Sequence, residues 1–130
     1  MPVEVQWANE DHTIVYLEYT GSLTWQDYDD SVDRAYDLIG TVDHPVDVIS
    51  YMYPTVRLPP GDAINHVKVA FTKRPPNMRK CFLIGSDLFG EMIVRVLINI
   101  KGIQETYIPV KSVEAAHAMI AKLNQETQKS

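Results

Sequence analysis

The chain holds one cysteine, Cys81, in 130 residues. An intramolecular disulfide is therefore excluded, and a lone thiol fits a reducing compartment. No apolar run approaches the roughly 18 residues of a membrane span, and the most apolar stretch, 92–100, is interrupted by Arg95. Neither a basic segment nor an apolar signal run marks the N-terminus. These absences lead us to expect a cytoplasmic protein with no membrane insertion. Basic residues are scarce at first. Residues 1–47 carry eleven Asp and Glu against Arg34 alone, net −10, while residues 48–130 carry six acids against eleven Lys and Arg, net +5. The acidity argues against nucleic-acid binding, which needs a dense basic surface. The asymmetry fits solvated surfaces, an acidic face that meets a basic partner, or halves that meet across a dimer.

Chemical motifs are scarce too. His12, His44, His66 and His117 stand singly, without i, i+3 or i, i+4 spacing and without Cys81 beside any of them, so no metal set is expected. Residues 85–90, GSDLFG, form neither a dinucleotide fingerprint nor a Walker loop, and no cofactor is expected. The same stretch lacks the G-x-S-x-G of a nucleophile elbow. Ser86 or Asp87 reads as a helix cap, and Ser86 is kept as a candidate for a small anion at that helix start. Cys81 lies within an apolar run and reads as a small core residue. With no converging acid–base or nucleophile–base pair, the chain reads as non-enzymatic.

What the chain does have is periodicity. Cys81–Ile84 is an unbroken apolar run, as a buried strand requires, and Phe89, Met92, Ile93, Val96, Leu97 and Ile100 then recur at helical spacing. This helix, about 88–101, is apolar nearly all round, which suggests cover on both sides or a homodimer face. Val3, Val5 and Trp7 alternate with Glu4 and Gln6, and residues 13–19 alternate with apolar groups on both faces; the two strands read as an antiparallel hairpin. Thr24 with Asp27 three residues on marks a helix start. Trp25, Tyr28, Val32, Ala35 and Ile39 form its stripe, and Gly40 its stop. Residues 46–52 read as a third strand. Residues 63–71 read as a helix behind a cap at Asp62, with Ala63, Ile64, Val67, Ala70 and Phe71 inward. Residues 80–84 and 106–109 read as the last two strands. Ser112 caps a final helix with Val113, Ala116, Met119, Ile120 and Leu123 inward. The order β-β-α-β-α-β-α-β-α predicts an α/β fold: a mixed, mostly parallel five-stranded sheet packed with four helices. One domain, 1–126, and a flexible tail, 127–130, are expected.

The loop 51–61 leaves the C-terminal end of a strand, where open α/β sheets place ligands. Its three prolines preclude helix and central strand. Tyr51, Met52, Tyr53, Val56 and Leu58 are much apolar material for a loop, with Arg57 as a charged tip. Tyr51, Tyr53, Thr55 and Arg57 are therefore the candidates for binding a ligand or partner, and a pocket of roughly 300 Å³ or more under Tyr51, Tyr53, Phe71 and Phe89 is expected if the ligand is a small apolar molecule.

The element order, the G-x-x-T-x-x-D-Y pattern at residues 21–28 and the closing IPVKSVEAA at residues 108–116 resemble the SpoIIAA-like, or STAS-like, family, over residues 3–124. The resemblance implies the SpoIIAA-like (STAS) fold and a regulatory domain that acts by binding a protein partner. In the anti-sigma-factor antagonists of that family a serine or threonine in a D-S-x-G-like motif after strand three is phosphorylated. Here Asp47 lies before the strand core, Ser50 lies within the strand and Thr55 lies in the proline-rich loop, so Ser50 and Thr55 are only weak phosphoacceptor candidates. Relatives of the superfamily bind apolar molecules in the crevice near this loop, which implies the alternative of a small-molecule carrier or sensor.

Overall fold

Strict alternation makes β1 (Val3–Trp7): Val3, Val5 and Trp7 turn inward while Glu4 and Gln6 stay exposed. The computed structural model describes residues 3–57, 59, 61, 63–85, 100 and 102–128. Within them follow β2 (Ile14–Tyr19), α1 (Trp25–Ile39), β3 (Val46–Met52), α2 (Ala63–Thr72), β4 (Met78–Gly85), α3 (Ile103–Thr106), β5 (Tyr107–Pro109) and α4 (Val113–Gln128). The helix expected at 88–101, the cap expected at Asp62, and Leu58, Ser86 and Phe89 lie outside the described residues. α3 is a short turn the periodicity does not reveal. It takes Thr106, so the last strand begins one residue later than expected.

The five strands lie in the order β1-β2-β3-β4-β5. β1 and β2 are antiparallel, with Val5 opposite Leu17, and every other neighbour is parallel. The α/β architecture with a mixed, mostly parallel sheet is thus as the element order predicts. Right-handed crossovers that all step in one direction place their helices on one side of a sheet. α1 and α2 accordingly pack on one face, over Val15, Leu17, Tyr19, Val48, Met52 and Cys81. α4 follows the last strand and is bound by no crossover. It packs on the opposite face, where Ala116 and Ile120 meet Ile14, Ile49, Phe82 and Ile84.

Local signals explain the helix ends. The Thr24 hydroxyl accepts from the Asp27 N–H at 3.0 Å and the Asp27 carboxylate accepts from the Thr24 N–H, a complete capping box. Gly40 caps the far end in ordinary right-handed geometry (φ −68°), so glycine's freedom is not what stops the helix. Asn77 does part of that work. Its amide donates to the carbonyls of Ile39, Val42 and His44, holding the end of α1 against the start of β4. Two residues expected inward are instead 39% exposed, Ile64 and Met119. Ile64 sits in the first turn of α2, before its buried run begins at Val67. Met119 lies at the edge of the stripe formed by Val113, Ala116, Ile120 and Leu123.

A β-bulge interrupts β4. Val46 pairs with Met78 and Val48 with Cys81, so Arg79 and Lys80 together oppose Asp47. Asp47, with 2% exposure, turns this irregularity into a junction. Its carboxylate accepts the Lys80 N–H at 3.1 Å and both arms of the Arg79 guanidinium, at 3.0 and 2.6 Å. Arg79 also donates to Asn124 of α4 at 2.8 Å. Among the described residues no helix is long and apolar enough to cross a membrane.

Candidate functional site

Strand register brings the loop candidates next to residues that sequence inspection passed over. Val15, Leu17 and Tyr19 face α1 and α2, so the intervening Tyr16 and Glu18 turn to the α4 side. Parallel pairing sets Glu18 opposite Tyr51 and Tyr16 opposite Ile49. Tyr16 and Tyr51 lean on the cluster beneath α4 yet remain half-buried. Tyr53 comes back from the loop, its ring 4.8 Å from that of Tyr51 and tilted by 63°, an edge-on pair. The Tyr53 hydroxyl donates to Glu18 at 2.5 Å. Accepting that proton's bond, Glu18 pushes the Tyr53 hydroxyl up to about 12, and burial with the nearby Glu18 raises Tyr16 as well. Three tyrosines thus surround one carboxylate on a stretch of sheet that α4 leaves open. Only the alternation within β2 could have announced Tyr16 and Glu18, and it did not say which face would be covered.

The loop is pinned rather than free. Tyr53 N–H bonds to Tyr19 O, Arg57 N–H to Gly21 O and Leu23 N–H to Arg57 O, each at 3.0–3.1 Å. Val56 packs against the helix-side core, while the Arg57 and Thr55 side chains are exposed. Ser50 turns the other way and lines an enclosed cavity under α1 and α2. The pocket expected under Tyr51, Tyr53 and Phe71 is not one pocket: Phe71 is buried on the α2 side of the sheet, and Tyr51 lies on the α4 side.

Two hollows flank the sheet. A crevice of about 550 Å³ opens at the C-terminal ends of β3, β4 and β5, lined by Tyr51, Pro54, Ile84, Gly85, Val110 and Lys111. Gly85 has φ +123°, and a Cβ there would lie 1.8 Å from the Met52 carbonyl oxygen, so only glycine closes this edge. The second hollow is the enclosed cavity, about 40 Å³, among Tyr19, Tyr28, Tyr36, Ser50, Cys81 and Tyr107. It has room for a water or two. Its hydroxyls are satisfied by neighbours: Tyr19 and Ser31 share a hydrogen bond of 3.2 Å, and Tyr36 donates to Ala70 O at 2.6 Å. Burial pushes Tyr19 up to about 12 and raises Tyr28, Tyr36 and Tyr107 as well. It also pushes the Cys81 thiol up to about 12, the opposite of what a nucleophilic cysteine needs.

The charge asymmetry has an internal use. Among the described residues the Asp29–His66 hydrogen bond and the ion pairs Asp33–Lys73 and Asp47–Arg79 each join the acidic first 47 residues to the basic remainder. The first two clamp α1 to α2, and Trp25 stacks on the His66 ring at 4.6 Å. No group of three His, Cys, Asp or Glu side chains is disposed to hold a metal among the described residues. Searched against known proteins, the chain matches no family model, no curated protein and no solved structure.

Proposed function

We propose that this chain is a non-enzymatic interaction domain of SpoIIAA-like (STAS-like) type that binds a protein partner through the open part of its sheet. The observation that carries the reading is the group Tyr16, Tyr51 and Tyr53 around Glu18, half-buried beside α4. Tyrosine rings with polar tips supply large contact area at low entropic cost, which is why they recur at protein interfaces. The family resemblance supports a regulatory partner protein. The test is affinity capture from the native cell with wild type and the Tyr51→Ala/Tyr53→Ala double variant in parallel. Proteins retained by the first and lost by the second are expected. Identical captures would sink the reading.

A second reading has its own observation. The crevice of about 550 Å³ exceeds the roughly 300 Å³ of a small-ligand site and lies where parallel sheets bind ligands. On that reading the chain carries or senses an apolar or amphipathic molecule. Native mass spectrometry separates the two: an added mass of a few hundred daltons that denaturation removes favours the carrier, and a clean apo mass favours the interaction domain. The same spectrum decides whether the chain is the homodimer that its sequence suggests.

A further inference from the structure

We infer that the open sheet face is a receptor for an arginine side chain of the partner, with the Tyr16, Tyr51 and Tyr53 rings as walls and the Glu18 carboxylate as counter-charge. This deepens the interaction-domain reading and rests on it.

The first argument is electrostatic. Glu4 of β1 stands directly opposite Glu18 of β2, and both project from the α4 side of the sheet. Like charges directly opposite each other on neighbouring strands are destabilising. Two acids elsewhere are answered directly: Asp33 by Lys73 and Asp47 by Arg79, each within 4 Å. Among the described residues neither Glu4 nor Glu18 has such a cation. Lys111 lines the crevice that Tyr51 also borders, yet it makes no ion pair with Glu18. An incoming cation would relieve a repulsion that the free chain leaves standing.

The second argument is the shape and chemistry of the surroundings. An aromatic face carries negative charge density and attracts a cation placed within about 6 Å of its centre. Tyr51 and Tyr53 meet edge-on and form a corner, and Tyr16 lies two residues from Glu18 on the same side of β2. The Tyr53–Glu18 hydrogen bond fixes the ring and the carboxylate relative to each other before any ligand arrives. It uses one of the carboxylate's lone pairs and leaves the others for a donor. A planar guanidinium stacks on a tyrosine and donates to a carboxylate at once, whereas an ammonium does only the second with directional strength. Arginine is therefore the residue this surface fits.

The experiment is a titration of the intact chain with acetyl-Gly-Arg-Gly-amide, followed by ring-proton NMR, and with the citrulline peptide of the same shape and no charge. Saturable shifts of the Tyr16, Tyr51 and Tyr53 rings are expected with the arginine peptide alone. Glu18→Gln, which keeps an acceptor for Tyr53, is expected to weaken binding about tenfold, roughly the value of a charge-assisted hydrogen bond. Glu4→Gln, at an exposed position, should weaken it about threefold, on the scale of a surface charge. Equal shifts with the citrulline peptide, no ring shifts with either, or unchanged affinity in both variants would overturn the arginine site. Partner capture that survives in Glu18→Gln but fails in the Tyr51→Ala/Tyr53→Ala double variant would also overturn it while leaving the interaction-domain reading in place.

Discussion

The seven tyrosines divide between the two faces of one sheet, and the division shows how context sets what a side chain is for. Tyr19, Tyr28, Tyr36 and Tyr107 gather under α1 and α2, around a cavity with room for little more than water. Tyr19 and Tyr36 bond inward, to Ser31 and to the Ala70 carbonyl, and burial raises all four hydroxyls. Tyr16, Tyr51 and Tyr53 lie on the α4 side, half open, and the Tyr53 hydroxyl is raised first by the carboxylate it donates to. The same residue type is a structural strut on one face and a presented surface on the other. Among the described residues the helices decide which: α1 and α2 cover the first face, and α4 covers part of the second.

The largest effect should come from the residue that fastens α4 to the open face. Asp47→Ala removes the acceptor for Arg79 and for the Lys80 N–H at the bulge, leaving a partly buried guanidinium without its counter-charge. A loss of about 3 kcal/mol is expected, measured by urea denaturation. Tyr36→Phe, a single oxygen on the closed face, should cost about 1 kcal/mol through the orphaned Ala70 carbonyl, whereas Tyr53→Phe on the open face should leave the urea midpoint where it is. Equal costs would erase the distinction between strut and surface.

Between these lies an alkaline effect of about 2 kcal/mol. Tyr19 sits at about 12 in the folded protein against about 10 in an unfolded chain. In that interval the folded state keeps a proton the unfolded state has lost, so the contribution of Tyr19 is whole below pH 10 and is lost as pH rises toward 12. Urea midpoints across this range should decline, and Tyr19→Phe should make the decline shallower by its share, leaving that of Tyr28, Tyr36, Tyr107 and Cys81. Tyr53 is raised to about 12 chiefly by its hydrogen bond to Glu18, so Glu18→Ala, which removes the acceptor, should return its absorbance titration toward 10 and leave Tyr19 where it is. If both tyrosines moved together, the two faces would not differ in the way described.

How much of this was readable in advance depended on range. Alternation in residues 3–7 and 46–52, and Thr24 with Asp27, are local signals, and the strands and the capped helix appear where those signals lie. Face assignment was legible within an element but not between elements. Phe71 and Tyr51 read as linings of one pocket, yet they lie on opposite sides of the sheet. The links made by Asp29, Asp33 and Asp47 span 37, 40 and 32 residues, a separation at which charge counts suggest attraction but cannot name partners. The bulge escaped notice for the same reason: Asp47 looked like a strand-edge acid until Arg79 and Lys80 were set opposite it. Glu18 was passed over because its significance lies in Tyr51 and Tyr53, which only pairing brings near.

The sequential strand order has a consequence for how the chain is made. Each strand in the sheet lies beside its neighbours in sequence. A polypeptide leaving the ribosome N-terminus first can therefore dock every new strand on an edge that already exists, with no earlier strand waiting for a distant mate. Short loops close early and cheaply, which favours rapid assembly. α4 is the exception, for it follows all five strands in the chain and covers Phe82 and Ile49 from the far side. Until it arrives, that apolar surface is exposed on a sheet otherwise complete, and the nascent chain is open to aggregation over that interval.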